Sequence, residues 1–220
     1  MKNTLKQKRA VLIDMDGVII DSMPYHYLAW YEALRPLGVR VSCFDVYERE
    51  GERWDKSLKD FLAYGRITPT KALMKSVFLA RQKVFHKYFK RTVFGGAGEF
   101  LDCLKKKGYI LGLVTGTPIK EVERILPSGI KNKFKVIVSG DRVKHGKPHP
   151  ESFLKAAKEL KVKASECAVL ENAPLGIRAA KSAGMFCIGI TTSLPAAYLK
   201  KADAVVDTLE DAIRLISRTC

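Results

Sequence analysis

Acidic residues are in short supply in this 220-residue chain: 23 Asp and Glu stand against 39 Lys and Arg, a net charge of +16. Such a balance invites a nucleic-acid reading. The bases are scattered, though, from Lys105–Lys107 through Lys131, Lys133 and Lys135 to Lys155, Lys158, Lys161 and Lys163. No aromatic residues interleave with them as base stacking requires. Solvated helix faces explain the excess, and nucleic acid is not an expected partner. The functional alternative is long-range attraction of small anions. Cysteine is also scarce. The five present are odd in number and show no C-x-x-C spacing, which argues against a disulfide framework or a zinc site. Cys167 and Cys187 fall in apolar runs and read as small core residues. A reducing cytoplasm suits such a set. No apolar run approaches the roughly 20 residues that cross a bilayer. The basic start, Met1 to Arg9, leads into an apolar run that stops at Asp14, too short for a secretory signal. A soluble, unprocessed monomer without membrane contact is expected.

What is present is an alternation. Short β-branched runs at Ala10–Ile13, Tyr109–Val114, Val136–Val138, Cys167–Leu170, Met185–Ile190 and Ala204–Val206 read as strands buried on both faces. Between them lie helical patterns at Gly98–Lys107, Pro118–Leu126, Pro150–Leu160, Pro174–Ala183 and Leu209–Ser217, several opening with Pro. This predicts an α/β fold, a Rossmann-like parallel sheet with helices on both faces. From about Ser22 to Thr92 the alternation breaks. Helical periodicity runs through Tyr27, Trp30, Tyr31 and Leu34, and again through Leu73, Val77, Ala80, Val84 and Tyr88. The expected organisation is a core of residues 1–21 and 93–220 with a helical cap at 22–92, hinged near Ile20–Ser22 and Phe94–Gly98.

Ligands of open parallel sheets bind beyond the carboxyl ends of the strands. The first run ends in Asp14-Met15-Asp16-Gly17-Val18, the second in Thr115-Gly116-Thr117 and the fourth in Glu171-Asn172, while Gly146-Lys147-Pro148 follows the third. Asp14 and Asp16, two apart in extended chain, point to one side. Such a pair repels itself unless a cation or a shared proton intervenes. With Glu171 they make a set of hard oxygen donors suited to Mg²⁺. Taken singly, each piece is ordinary: Asp-x-Asp-Gly is a turn, a strand-ending Thr a helix cap, Lys-Pro a solvated loop. The ordered combination carries the signal.

These four segments, with Gly176 and Ala179-Ala180 after the last, resemble the motif set of the haloacid dehalogenase superfamily along essentially the whole chain. Residues 22–92 look like the small helical cap of its first subclass, and the set is most similar to the group holding β-phosphoglucomutases and sugar-phosphate or phosphoglycolate phosphatases. The resemblance implies a phosphatase for a small phosphorylated metabolite. Asp14 would be the nucleophile that forms an aspartyl phosphate, and Asp16 the acid and base. Mg²⁺ would be held by Asp14, the Asp16 carbonyl, Glu171 and the residue at 172. Thr115, with the amides of Gly116 and Thr117, would grip the phosphoryl oxygens, and Lys147 would add fixed positive charge. The family usually has Asp where this chain has Asn172, which keeps an oxygen donor but loses a charge.

The cap should choose the leaving group. His26 stands where β-phosphoglucomutases carry a His, although many phosphatases of the group share it. The segment Glu48–Arg53 resembles the cap's substrate loop. Mutases carry Lys before its Gly and Arg after it, to hold a second phosphate; here Glu50 precedes Gly51, and Arg49 and Arg53 would only partly restore the charge. Hydrolysis is therefore the leading reading. A sugar-phosphate mutase is the alternative, and a non-catalytic basic binding protein comes third. Dehalogenase and phosphonatase chemistry are disfavoured because Asp16 is present.

Overall fold

A computed structural model describes residue 5 and residues 8–217. The strands β1 (Ala10–Ile13), β2 (Ile110–Val114), β3 (Val136–Val138), β4 (Cys167–Glu171), β5 (Phe186–Ile190) and β6 (Ala204–Val206) form one 6-stranded sheet in the order β3-β2-β1-β4-β5-β6. Every pairing is parallel. The chain thus winds outward from β1 in both directions, and the crevice at that reversal is where a doubly wound sheet receives ligands.

The continuous apolar runs follow from burial on both faces. Val11, Ile13, Leu111, Leu113, Ala168 and Leu170 point into one hydrophobic cluster, and Ala10, Leu12, Val114, Cys167 and Val169 into another. The first cluster is covered by α5 (Ala97–Lys106), α6 (Ile119–Ile125) and α10 (Leu209–Ser217), the second by α8 (Glu151–Glu159) and α9 (Pro174–Ser182). Phe100 and Phe153, both fully buried, each anchor one layer, and truncating either to Ala would cost roughly 3–5 kcal/mol. A short helix, α7 (Ser128–Lys131), precedes β3. Strand and helix ends fall within a residue or so of the periodicity, with Glu171 drawn into β4 by its pairing with Gly189.

Between β1 and α5 the chain forms α1 (Met23–Leu34), α2 (Cys43–Tyr47), α3 (Trp54–Tyr64) and α4 (Lys71–Tyr88), with a hydrophobic cluster of their own around Trp30, Leu34, Leu58, Phe61, Met74 and Val77. Ser42 and Thr70 cap the amides of α2 and α4. Two parts of the periodic stripe are corrected. Tyr31, Ala80 and Tyr88 are exposed, and the buried positions of α4 are Met74, Val77 and Phe85. Met74 and Val77 pack into the cluster of the helical segment, whereas Phe85 joins the cluster on the sheet. At the two connections, Gly98 lies within α5, and Asp21 N–H donates to Thr92 O and Phe94 N–H to Ile19 O. Among the described residues no helix is long and apolar enough to cross a membrane.

Candidate active site

At the carboxyl end of β1, Gly17 turns the chain with φ of +80°, and its Cα has no room for a side chain, since a Cβ would lie 2.0 Å from Asn172 Nδ2. This turn leaves Asp14 and Asp16 fully buried beside the ends of β2 and β4. Four segments supply the remaining groups. Thr115 and Thr117 follow β2, Lys147 comes from the loop before α8, Glu171 and Asn172 end β4, and Ser22 and His26 enter with α1. All the residues expected at the core of the site therefore meet there.

The two aspartates have different surroundings. Lys147 Nζ donates to Asp14 Oδ1 at 2.6 Å and to Glu171 Oε1 at 2.5 Å, and lies 5.5 Å from the centroid of the Phe153 ring. Glu171 Oε2 accepts the Ala173 amide at 2.8 Å, and Gly176 leaves the carboxylate its space, since a Cβ there would meet Oε1 at 1.7 Å. Burial alone would lower the Lys147 pKa; the charges of Asp14 and Glu171 overturn that and raise it above its ordinary range. Burial pushes Asp14 up, with Lys147 opposing and Glu171 and Asp16 adding to the rise. Asp14 Oδ2 is sealed from solvent and has no hydrogen-bond partner among the described residues.

Asp16, by contrast, is saturated. Its Oδ1 accepts from Ser22 Oγ at 2.6 Å and His26 Nε2 at 3.2 Å, and its Oδ2 from Thr117 Oγ1 at 2.8 Å and Thr115 Oγ1 at 3.2 Å. Burial would raise this carboxyl, but the hydrogen bonds from His26, Ser22 and Thr117 win and hold it below its ordinary value. Arg81 Nη2 donates to His26 Nδ1 at 3.1 Å, so that nitrogen must offer its lone pair and Nε2 carries the proton directed at Asp16. The imidazole stacks on Phe85 at 4.7 Å.

The donors suit a hard cation. Asn172 Oδ1, next in the chain to Glu171, is buried and has no hydrogen-bond partner among the described residues, which an internal site tolerates only for a purpose. Asn172 Nδ2 donates to Ser193 Oγ at 2.9 Å.

The loop before α3 closes over this edge. Gly51, at φ +77°, lies so near Lys147 that a Cβ would fall 2.3 Å from its Cδ, and a Cβ on Gly116 would meet Gly51 Cα at 2.9 Å. Between this loop, α4 and the sheet edge is a cavity of about 290 Å³, lined by His26, Glu50, Trp54, Phe78, Arg81 and Thr117 among others. Burial and the charges of Asp16 and Asp14 push Glu50 well above the usual carboxylate range. The two cations expected to offset Glu50 are engaged elsewhere. Arg49 pairs with Glu52 at 3.0 Å and Asp60 at 2.6 Å, and Arg53 with Asp55 at 3.3 Å. The loop carrying Lys147 is held by Glu151, which accepts the amides of Lys144 and His145 at 2.8 and 3.0 Å and the His145 ring at 2.8 Å. His145, His149 and Glu151 thus form a clasp on the outer side of the lysine.

Arg81, Ser22 and Trp54 were not singled out from the sequence. A signal for Arg81 exists: Val77, Arg81 and Phe85 repeat at i, i+4 and i+8, which sets a cation in the middle of an apolar face.

The chain is 32% identical to the β-phosphoglucomutase of Bacillus subtilis, with 92% of this chain and 91% of that protein covered. It is 31% identical to the validoxylamine A 7'-phosphate phosphatase of Streptomyces hygroscopicus, with 92% and 95% covered. Among solved structures it is similar to a β-phosphoglucomutase from Clostridium difficile, with a TM-score of 0.81, 26% identity, and 96% and 98% of the two chains covered. A family model, haloacid dehalogenase-like hydrolase, matches residues 8–184, from the strand bearing the aspartate pair to the helix behind Glu171. By that match and by its near full-length relatives, the chain belongs to the haloacid dehalogenase-like hydrolase family.

Proposed function

We propose that this chain is a Mg²⁺-dependent phosphatase that hydrolyses a small phosphorylated metabolite through an aspartyl phosphate on Asp14. The observation that carries the reading is the asymmetry of Asp14: one oxygen is held by Lys147, while the other is buried, unpartnered and free to attack. Residues 22–92 act as a cap over a core of 1–21 and 93–220. Asp14, the Asp16 carbonyl, Glu171 and Asn172 would hold the metal. When bound, Mg²⁺ supplies positive charge against the phosphoryl oxygens.

The chain's own groups do the rest. Lys147 neutralises charge and aligns Asp14 for in-line attack. The Thr115 hydroxyl and the amides of Gly116 and Thr117 receive the phosphoryl oxygens. The Thr115 and Thr117 hydroxyls donate to Asp16, and such bonds favour its charged form. A phosphoryl group that claims those hydroxyls takes hydrogen bonds from Asp16 and brings negative charge near it. Both effects raise the Asp16 pKa and equip it to protonate the leaving oxygen. Asp16 then accepts a proton from the water that cleaves the aspartyl phosphate, giving inorganic phosphate and free Asp14. His26, oriented by Arg81, steers Asp16 through both steps. Free cysteines at 43, 103, 167 and 187 suit a reducing cytoplasm.

The second reading is a sugar-phosphate mutase, favoured by the two β-phosphoglucomutases among the relatives. Glu50 opposes it, because it stands before Gly51 where the resemblance leads one to expect the lysine of a mutase. Incubation with Mg²⁺, β-glucose 1-phosphate and a bisphosphate primer separates the two. Free phosphate supports the hydrolase; glucose 6-phosphate without free phosphate overturns it.

A further inference from the structure

The chain has four histidines, and two of them meet on the outer side of the loop that carries Lys147. The sequence there is His145-Gly146-Lys147-Pro148-His149-Pro150-Glu151. A proline on each side of His149 restricts the backbone that presents it. The His145 and His149 rings are exposed, with centroids 4.6 Å apart. Glu151 joins them, its Oε2 lying 2.8 Å from His145 Nδ1 and 4.0 Å from His149 Nδ1. One donor atom from each of the three falls within 4.8 Å of the others.

Donors on a tetrahedral ion with bonds of about 2.0–2.1 Å stand roughly 3.3–3.4 Å apart. The two distances to Glu151 bracket that spacing, so small side-chain rotations close the set. The carboxylate is already steered, because the amides of Lys144 and His145 donate to it at 2.8 and 3.0 Å. Outer bonds of this kind orient a ligating carboxylate.

The surroundings choose the ion. The adjoining cleft is lined by Arg53, Lys56, Lys59 and Lys144. A hard ion held by charge alone, such as Mg²⁺ or Ca²⁺, meets one carboxylate against several cations and gains little. Imidazole suits Zn²⁺, Ni²⁺ and Cu²⁺, whose bonds to nitrogen lone pairs do not depend on charge alone. The lone pairs must be released first. His145 Nδ1 donates to Glu151, so its proton passes to Nε2 or to solvent when that nitrogen ligates. His149 Nδ1 accepts the Glu151 amide at 3.2 Å and exchanges that weak bond for the ion.

We propose that His145, His149 and Glu151 form a second metal site, on the outer side of the Lys147 loop and apart from the sheet-edge pocket, for a borderline divalent transition ion such as Zn²⁺, with water completing its shell. The site stands whether or not the chain is a phosphatase.

The test titrates Zn²⁺ into the full chain by calorimetry, in a large excess of Mg²⁺. Saturable binding of a single Zn²⁺ is expected. His145→Ala and His149→Ala should each weaken it at least about tenfold, the scale for disturbing a metal site. Asp14→Asn should leave it unchanged. A second readout needs no variant. Diethyl pyrocarbonate acylates accessible imidazoles, and Zn²⁺ should protect His145 and His149 while exposed His86 reacts as before, as read by peptide mass spectrometry. Absence of saturable binding overturns the site. So does binding that is lost in Asp14→Asn and kept in both histidine variants, which would put the ion at the sheet edge. Equal protection of His86, His145 and His149 would overturn it too.

Discussion

The two walls of the cleft are finished to different degrees. On the sheet edge almost every charge already has its counterpart: Lys147 sits between Asp14 and Glu171, and Asp16 is ringed by hydroxyls and an imidazole. On the helical wall Glu50 has no bonded partner and Arg81 retains a sealed, unpaired nitrogen. The contrast assigns labour. On the proposed function the edge is preorganised for a constant partner, a phosphoryl group with its cation, and preorganised charge of that kind lowers barriers without reorganisation. On the same reading the helical wall would meet the variable part of a substrate, where specificity is won by leaving wrong partners unsatisfied.

The largest effect should come from the finished wall. Asp14→Asn removes the attacking oxygen, and phosphate release should fall by at least about 10⁴-fold, the scale for loss of a nucleophile. Circular dichroism should stay native; activity near that of the wild type would mean that another group attacks. Next comes Lys147→Met. It leaves Asp14 and Glu171 as buried carboxylates without compensation, a loss of roughly 3–5 kcal/mol. Thermal melting should register a fall of about 10 °C for a chain of this length. A fall of only a degree or two would show that the ammonium matters little to the edge.

A subtler change sharpens the comparison. Asn172→Asp adds a fourth acid to Asp14, Asp16 and Glu171. The metal-free protein should melt lower. Added Mg²⁺ should raise its melting temperature more than it raises that of the wild type, with the half-activating Mg²⁺ concentration falling about tenfold, in line with effects of tuning around a metal site. Unchanged Mg²⁺ dependence would show that position 172 does not set affinity. The smallest effect belongs to the clasp behind Lys147. Backbone amides from Lys144 and His145, with the His145 ring, hold Glu151 down at about 2 from an ordinary 4.5. A lowered carboxyl stabilises the fold above its unfolded pKa, and that contribution is lost as the pH falls through the folded value. Glu151→Gln should therefore lower the melting temperature by about 2–4 °C at neutral pH, equivalent to roughly 1 kcal/mol. The difference should vanish near pH 2. A gap that persists there would assign it to packing instead of charge.

The sheet was legible from the chain because strands buried on both faces read as unbroken apolar runs, and each run stops where it reaches the edge. That is why Asp14, Thr115 and Glu171 could be picked out as strand-ending residues. The helical segment was less legible. α4 turns Met74 and Val77 into one cluster and Phe85 into another, so one apolar stripe could not describe it; Tyr88 of α4 and Tyr31 of α1 are exposed. Arg81 was missed because a cation on a helix looks like a solvated one until the opposing surface is known. Arg49 and Arg53 looked like free cations for the same reason.

Local pattern, then, was enough for the element types, the alternation of layers and the identity of the groups at the sheet edge, since each depends on residues only a few positions apart. The tertiary structure alone decided who bonds to whom. Thr115 reaches Asp16 across 99 positions and Lys147 reaches Asp14 across 133. Such meetings depend on strand order and on how a helical layer settles against it, which no short-range periodicity records.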